Sequence, residues 1–245
     1  MLLPKWADTK VRQFLERKGY VPIRGEDAPA LARRSRLLQS QQIDLVIDVG
    51  ANSGQYGRLL RSIGYAGRIH SFEPMDSAWQ ALQKNRAGDA KWSATQAALG
   101  ETAGTTTLHV SENSISSSLL DLLPEHERNA PHSRYVREES VRLCRLDDTF
   151  NEIRGDATHI WLKLDVQGFE DKVLAGAETS LASVSMIQME LSLAPLYLGQ
   201  KTFLPLCEYL HGRHFELVGV EAGFQERGTG VLLQLDGIFR KQIDA

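Results

Sequence analysis

Short apolar runs alternate with amphipathic stretches along most of the chain after residue 42. Short apolar runs bounded by turn residues are typical of buried strands, and apolar spacings of three and four are typical of helices. The predicted strands cover residues 43–50, 68–74, 92–100, 159–168 and 183–192, and predicted helices cover 55–64, 76–86 and 170–182. Because parallel strands need a crossover connection, this alternation predicts a Rossmann-like, doubly wound, mostly parallel α/β sheet with helices on both faces.

The last forty residues have a different pattern. After a predicted helix over 203–210, two β-rich runs cover 215–224 and 230–240, and the turn sequence QERGTG joins them. This arrangement predicts a C-terminal antiparallel hairpin. The complete sheet is therefore expected to have seven strands, one of them antiparallel near the edge.

The first forty residues are predicted to be helical, with amphipathic stretches over 7–19 and 28–39. We expect a helical extension over residues 1–40 and one α/β domain over residues 41–245. A basic run in the second stretch (Arg33, Arg34 and Arg36) could bind a phosphate, but short charge clusters of this kind are more often a solvated helix face.

Residues 111–139 are polar and show no clear period. A segment of this length inside a compact domain is either a functional loop or an element that the pattern fails to identify. If it forms a lid, His126 or His132 could serve as a base or contact a substrate.

Composition narrows the class of protein. The chain has 245 residues, 42% of them hydrophobic, and a formal net charge of −3. This near balance of charge provides no basic field for nucleic acid. The two cysteines lack metal-ligand spacing, and neither a signal peptide core nor a run of membrane-spanning length is evident. We expect a cytoplasmic protein with no integral membrane segment.

The first strand leads directly into a helix through the sequence Asp48-Val-Gly-Ala-Asn-Ser-Gly54. Doubly wound folds bind nucleotide-like ligands at this turn. Gly50 and Gly54 allow the backbone to approach a ligand closely, and Asn52 tolerates a left-handed conformation. A dinucleotide fingerprint would need glycine at the positions of Asn52 and Gln55, so a pyrophosphate ligand is disfavoured.

Glu73 ends the second predicted strand, 25 residues after Asp48. An acid at this point can accept hydrogen bonds from both hydroxyls of a ribose. Taken alone, Glu73 could simply favour the start of the next helix through the helix dipole. Together with the glycine turn, it predicts a nucleoside site.

The segments IDVGANSGQ, FEP, SSSLL, LKLDVQGFE and DGIFRK resemble the FkbM family of S-adenosylmethionine-dependent methyltransferases. The resemblance extends from about Ile43 to Lys241. One departure is Gln167, where an acid is commoner in the family, and we assign that position no chemical role.

The resemblance implies a set of ligand contacts. The methionine half of S-adenosylmethionine would be held by Asp48, Gly50, Asn52 and Gly54. Glu73 would bind the ribose, and Ala98 and Leu99 would contact the adenine edge. Asp165 would face the methionine amino group or the incoming acceptor.

A hydroxyl acceptor needs a proton acceptor within hydrogen-bond reach. Asp165 is the first candidate and Glu190 the second, since both end predicted strands at the rim that carries Gly50. Lys163 lies on the same strand face as Asp165 and is either catalytic or a charge partner. Asp165 could also only anchor the cofactor's ammonium group, and Glu190 could only cap the following segment.

The leading hypothesis is an O-methyltransferase that acts on a hydroxyl of a sugar, glycolipid or polyketide-type secondary metabolite, with S-adenosylhomocysteine as product. The alternatives are a nicotinamide-dependent oxidoreductase and a non-catalytic nucleoside-binding protein. We expect no required metal and no nucleic acid partner. The sequence leaves a homodimer open.

Overall fold

A computed structural model of the protein describes residues 28–242. The predicted helix over residues 7–19 lies outside this range. The strands are β1 (Leu45–Val49), β2 (Arg68–Phe72), β3 (Trp92–Thr95), β4 (Ala98–Leu99), β5 (Gly104–Ser111), β6 (Tyr135–Cys144), β7 (Ile160–Leu164), β8 (Val184–Ser192), β9 (Phe215–Ala222) and β10 (Gln234–Lys241). The α-helices are α1 (Ala28–Ser40), α2 (Gln55–Ser62), α3 (Asp76–Asn85), α4 (Pro124–Asn129), α5 (Leu146–Arg154), α6 (Glu170–Ala175) and α7 (Phe203–His211).

Within residues 28–242 the central sheet has seven strands in the order β3-β2-β1-β7-β8-β10-β9. Strands β3, β2, β1, β7 and β8 pair in parallel, and β10 pairs antiparallel with both β8 and β9. The order of the strands in the sheet reverses between β1 and β7, because β2 and β3 lie on one side of β1 and the later strands on the other, and this switch point opens a crevice at the carboxyl ends of the strands. The predicted fold class, including the C-terminal hairpin, is confirmed.

Helices cover both faces of this sheet. One face buries Val46, Trp161 and Met186 of neighbouring strands against α1, α2 and α3, through Leu38, Leu60 and Leu82. The opposite face packs against side chains of α5, α6 and α7, among them Phe150, Leu174 and Leu206. In the part of the chain that the structure describes, no helix is long and apolar enough to cross a membrane.

The face covered by α1 and α2 changes from apolar to polar toward the carboxyl ends of the strands. Asp48 of β1 is in register with Lys163 of β7, which is in register with Gln188 of β8. Two residues further along β8, Glu190 is in register with Asp236 of β10. Side chains two residues apart on a strand share a face, so these rows meet at one edge of the sheet.

Two sequence-based expectations differ from the structure. The predicted strand over 92–100 is divided, because β3 joins the central sheet while β4 joins a separate sheet of order β4-β6-β5 within the described residues. The irregular segment predicted over 111–139 ends in a strand, β6, that the pattern did not indicate. Most of β6 is exposed or partly exposed, with Val141 and Cys144 its buried residues, so its sequence lacks an apolar face.

The packing of β10 makes a prediction for stability. Ile238 is fully buried on the α1 side of the sheet, whereas Val220 on the neighbouring edge strand β9 is 50% exposed. We expect Ile238→Ala to lower the free energy of unfolding by about 2 to 5 kcal/mol, because it removes buried methylene groups and leaves a cavity. Val220→Ala should change it by less than about 0.5 kcal/mol. Chemical denaturation of both variants checks this, and equal losses would show that β10 is not part of the core.

Candidate active site

A cavity of about 340 Å³ lies at the carboxyl edge of the central sheet. Its apolar end is lined by the side chains of Met75, Ala98, Leu99, Leu108, Leu119 and Phe169. Its polar end is lined by Arg34, Tyr56, Lys163, Gln188 and Asp236. Gly50, Asn52, Glu73 and Asp165 also line it. A cavity with one apolar and one polar end can hold a ligand that is itself part ring and part charge.

The turn between β1 and α2 brings the backbone into this cavity at Gly50 and Asn52, whereas Gly54, predicted to contact the same ligand, packs instead toward Leu82 and Trp92. Gly50, Asn52 and Gly54 all have positive φ angles, of 75°, 47° and 82°. At Gly50 an added Cβ would lie 1.9 Å from the carbonyl oxygen of Asp165, which no real atom pair tolerates. Glycine is therefore required at this position both by the backbone angle and by the close approach of the chain after β7.

Glu73 fastens this turn to the end of β2. Its side chain is buried, and its two oxygens accept hydrogen bonds from the backbone N–H of Asn52 at 2.7 Å and of Met75 at 2.8 Å. Burial raises the pKa of Glu73 to about 7, although these two hydrogen bonds act in the opposite direction. A carboxylate oxygen has more than one lone pair, so Glu73 keeps acceptor capacity toward the cavity.

Lys163 holds the polar end together. Its Nζ lies 3.1 Å from Asp48 Oδ1 and 3.4 Å from Asp165 Oδ2, and it donates to the Gly50 carbonyl at 3.2 Å. Burial opposes the charge, but the two carboxylates outweigh it and raise the pKa of Lys163 above its ordinary value. Lys163 therefore stays protonated and acts as a charge partner, which is the second of the two roles that the sequence allowed.

Asp48 lies beneath Lys163. Its side chain is fully buried and is not part of the cavity wall, although the sequence suggested that it contacts the methionine half of a cofactor. Besides Lys163, its hydrogen-bonding neighbour is Ser71, whose hydroxyl lies 3.5 Å from Oδ2. Any influence of Asp48 on a ligand in the cavity therefore passes through Lys163.

Gln167 joins the two acids predicted to be candidates for a base. Its Nε2 donates to Asp165 Oδ1 and to Glu190 Oε2, both at 2.8 Å, and its Oε1 accepts from the Tyr197 hydroxyl at 2.7 Å. Its φ angle is 54°, in the left-handed region. The sequence interpretation gave Gln167 no role, although its place two residues after Asp165 in the DVQGFE turn was a signal that could have identified it.

Glu190 lies behind this amide. Its Oε2 accepts hydrogen bonds from Gln167 and from Gln234 Nε2, each at 2.8 Å, and the residue is not part of the cavity wall. Burial, followed by repulsion from Asp165, raises the pKa of Glu190 well above its ordinary value. The geometry thus separates the two candidates: Asp165 reaches the cavity, while Glu190 supports its surroundings.

The segment after β5 covers the apolar end. The Asn52 side chain donates to the Ser114 carbonyl at 3.3 Å, and the Ser118 hydroxyl donates to the Gln167 carbonyl at 2.6 Å. These contacts tie Ser114 and the following SSSLL segment to the turns after β1 and β7. This part of the predicted irregular segment therefore forms one wall of the cavity, through Ser114, Ile115, Ser117, Ser118 and Leu119.

The two histidines proposed for this lid do not reach the cavity wall. His126 is buried against Tyr197, with ring centroids 5.1 Å apart, and burial lowers the pKa of His126 to about 4. His132 is exposed, and its Nδ1 lies 3.4 Å from Glu112 Oε1. The structure therefore does not bring either histidine to the cavity that holds the other candidate residues.

Several residues of the polar end were not identified from the sequence. Arg34 was interpreted as part of a solvated helix face, but it is buried and forms an ion pair with Glu221 of β9. The Tyr56 hydroxyl donates to Gln188 Oε1 at 2.8 Å, and the Tyr56 ring lies 5.3 Å from Arg34 Cζ and 5.4 Å from Lys163 Nζ. Asp236 had been noted only as part of the DGIFRK motif.

Among residues 28–242, no group of three or more His, Cys, Asp or Glu side chains is placed to hold a metal ion.

Comparison with known proteins identifies the family of the chain. Residues 48–222, well over half of the chain, match the Methyltransferase FkbM domain. The chain belongs to the FkbM methyltransferase family. It is therefore a methyltransferase, and S-adenosylmethionine is the methyl donor that the family and the fold imply. The chain is also 27% identical over 197 residues to 2-O-methyltransferase NoeI of Sinorhizobium fredii (strain NBRC 101917 / NGR234). The alignment covers 76% of this chain and 79% of that protein.

Solved structures of more distant proteins resemble the fold of this FkbM protein. Magnesium protoporphyrin IX methyltransferase (ChlM) of Synechocystis PCC 6803, solved with bound SAM, has 10% identity and a TM-score of 0.45, covering 96% of this chain and 92% of that chain. An rRNA methylase of Streptococcus thermophilus has 12% identity and a TM-score of 0.47, covering 86% and 95%. At TM-scores below 0.5 these similarities carry no conclusion about the activity or the acceptor of this protein.

The close approach at Gly50 predicts a large effect of a small substitution. Gly50→Ala should lower the free energy of unfolding by more than about 3 kcal/mol, because it combines backbone strain with an atomic overlap. Gly64 is a matched control, since it has a φ angle of 87° but nothing within 4 Å of an added Cβ. Gly64→Ala should cost about 1 to 2 kcal/mol. Thermal and urea unfolding measure both, and similar losses would mean that the contact with Asp165 is not tight.

Burial of Glu73 predicts a dependence of stability on pH. The pKa of Glu73 is about 7 in the folded protein, against an ordinary value of 4.5. Between pH 4.5 and pH 7 the folded state therefore keeps a proton on Glu73 that the unfolded state has lost. Stability should therefore fall as pH rises from 4.5 to 7, with a contribution from this group of about 3 kcal/mol. Glu73→Gln should remove this part of the slope.

Urea unfolding at a series of pH values tests the prediction. Glu152→Gln, on the exposed side of α5, controls for the loss of a charge. The comparison is between slopes, because the amide at residue 73 also loses one backbone hydrogen bond at every pH. An unchanged slope in Glu73→Gln would show that Glu73 ionises normally.

Proposed function

We propose that the protein is an S-adenosylmethionine-dependent O-methyltransferase whose acceptor is a hydroxyl of a sugar, glycolipid or polyketide-type secondary metabolite. The observation that carries this proposal is the shared cavity. This single cavity is lined by an apolar slot, by the glycine turn that Glu73 holds, and by a polar end with carboxylates. The 2-O-methyltransferase relative supports transfer to oxygen.

The residues that line the cavity fit the methyl donor. The apolar end, which includes Met75, Ala98, Leu99 and Phe169, provides flat, non-polar surfaces suited to adenine. Glu73 retains acceptor capacity for ribose hydroxyls. Asp165, which follows β7 at the rim beside Gly50, suits the methionine ammonium group. Asp48 contributes through Lys163, which it keeps charged and in place.

When bound, S-adenosylmethionine supplies a methyl group already activated by its sulfonium charge. The protein's own task is then to align an acceptor oxygen, exclude water and receive a proton. Ser117, Ser118 and Leu119 of the SSSLL segment line the cavity and are placed to limit the access of water to a bound donor. Lys163 fixes Asp165 and the Gly50 carbonyl, so the rim on which alignment depends is held rigid by charged contacts.

We further propose that residues 41–245 form the catalytic domain, that residues 1–40 form a helical extension, and that the protein acts in the cytoplasm on a small-molecule or glycan acceptor. Neither a nucleic acid partner nor a required metal is proposed. A homodimer remains an open prediction.

Ligand binding tests the proposed function. S-adenosylhomocysteine at about one hundred times its dissociation constant should stabilise the folded state by about 2.7 kcal/mol, which raises the melting temperature by roughly 5 to 10 °C. NADH at the same concentration should have no effect, because Asn52 and Gln55 replace glycines of the dinucleotide fingerprint. Differential scanning fluorimetry measures both, and stabilisation by NADH alone would support the oxidoreductase alternative.

A further inference from the structure

The polar end of the cavity is built partly by segments outside the matched family region. Arg34 belongs to α1 and Asp236 to β10, whereas the family match covers residues 48–222. Both side chains line the cavity wall beside Lys163 and Gln188 of the central strands. The two flanking segments therefore converge on one site, although 202 residues separate Arg34 from Asp236 along the chain.

The carboxylates around this site differ in what they are bonded to. Asp48 is paired with Lys163, Asp165 with Lys163 and Gln167, Glu190 with Gln167 and Gln234, and Glu221 with Arg34. Among the described residues, the Asp236 carboxylate accepts no hydrogen bond and forms no ion pair within contact distance. It lines the cavity, so its acceptor capacity is directed at whatever occupies that space.

Charges on several elements act on Asp236. Those facing it are Asp165 after β7, Lys163 on β7, Glu190 on β8, Glu221 on β9 and Arg34 on α1. Burial first, and then repulsion from Asp165, raises the pKa of Asp236 to about 6, while Arg34 and Lys163 act in the opposite direction. A carboxylate that titrates just below neutral pH is still ionised at pH 7 and is a better base than an exposed aspartate.

The Arg34 guanidinium is only partly used by the protein. One Nη is bonded to Glu221, the Nε is buried without a partner, and within residues 28–242 no hydrogen bond occupies the other Nη. Because Arg34 lines the cavity, this second Nη is the donor available to a ligand. The surrounding groups are a phenol (Tyr56), an amide (Gln188) and the carboxylate of Asp236, with Leu59 as an apolar neighbour on the wall. Planar donors and acceptors beside an aromatic ring suit adjacent hydroxyls of a sugar ring better than the apolar body of a polyketide.

We propose that Asp236 is the catalytic base for a sugar hydroxyl and that Arg34 binds the same sugar ring through a neighbouring oxygen. This inference rests on the proposed function and narrows its acceptor to a sugar. As the acceptor oxygen forms its bond to the methyl carbon, the carbon–sulfur bond breaks and its electron pair stays on sulfur. The hydroxyl proton passes to the Asp236 carboxylate. The products are the methyl ether, neutral S-adenosylhomocysteine and protonated Asp236, so charge is conserved.

The test uses the full chain, S-adenosylmethionine with a labelled methyl group, and methyl glycosides of glucose, galactose and mannose as acceptor probes. We expect methylation of at least one glycoside. Asp236→Asn should lower the kcat for methylation of that glycoside by about 100-fold or more, which is the usual contribution of a general base. The affinity of this variant for S-adenosylhomocysteine should be unchanged. Arg34→Gln should raise the KM for the glycoside. Asp156→Asn removes an exposed carboxylate, 96% accessible, and is the matched control.

The pH profile separates a base from a merely structural residue. In the parent protein kcat/KM should fall about tenfold per pH unit below roughly pH 6, because protonated Asp236 cannot accept a proton. Asp236→Asn should lack this limb, and Asp236→Glu should restore part of the rate. Circular dichroism confirms that each variant is folded before it is compared.

Three results would overturn the inference. They are full activity of Asp236→Asn on a glycoside, a parent protein that binds S-adenosylhomocysteine but methylates none of the glycosides, and loss of S-adenosylhomocysteine affinity in Asp236→Asn. The last would place Asp236 at the methionine end of the donor. Failure of the parent to bind S-adenosylhomocysteine is a different result, since it would contradict the proposed function itself.

Discussion

One buried cation, Lys163, is the interaction on which the site depends. A charged group removed from water without a partner costs several kcal/mol, so a wall of acids at the edge of a sheet is stable only with compensating charge. Lys163 contacts Asp48 below it, Asp165 beside it and the Gly50 carbonyl in front of it. These three contacts fix the rim of β1 relative to that of β7. The separation of the two strand ends, and with it the width of the crevice, follows from this arrangement.

The same constraint explains the amide at residue 167. Asp165 directly follows β7 and Glu190 lies in the neighbouring strand β8, and another carboxylate between them would add repulsion that Lys163 alone could not offset. The glutamine amide instead donates one hydrogen to each acid and accepts from Tyr197 with its oxygen. All of its polar atoms are used, as expected for a buried network that specifies one geometry. The departure from the commoner family residue is therefore physically consistent with its neighbours.

More of the fold than of the site could be predicted from the sequence. The five parallel strands and the hairpin follow from local periodicity, and Gly50, Asn52 and Glu73 follow from a turn whose backbone demands are local. Strand β6 could not be predicted because it is polar, and its partners are distant in sequence. Arg34 was misinterpreted for a related reason. A basic residue on a short helix is normally solvated, and only its pairing with Glu221, 187 residues away, buries it.

The glycine-turn end and the polar end of the cavity depend on different parts of the chain. The parts of the cavity that suit the nucleoside come from short, local sequence features within residues 48–222, namely the glycine turn, Glu73 and the SSSLL segment. The polar end also depends on α1 and β10. Helix α1 is held against β9 by Arg34 with Glu221 and by Arg33 with the Val220 carbonyl, and β10 pairs with β9 in the sheet. A substitution on either flanking segment can alter the polar end without disturbing the turn between β1 and α2. Because a fold transmits its cofactor site more faithfully than its substrate, the proposed function makes these flanking segments the place where acceptor choice is physically free to change.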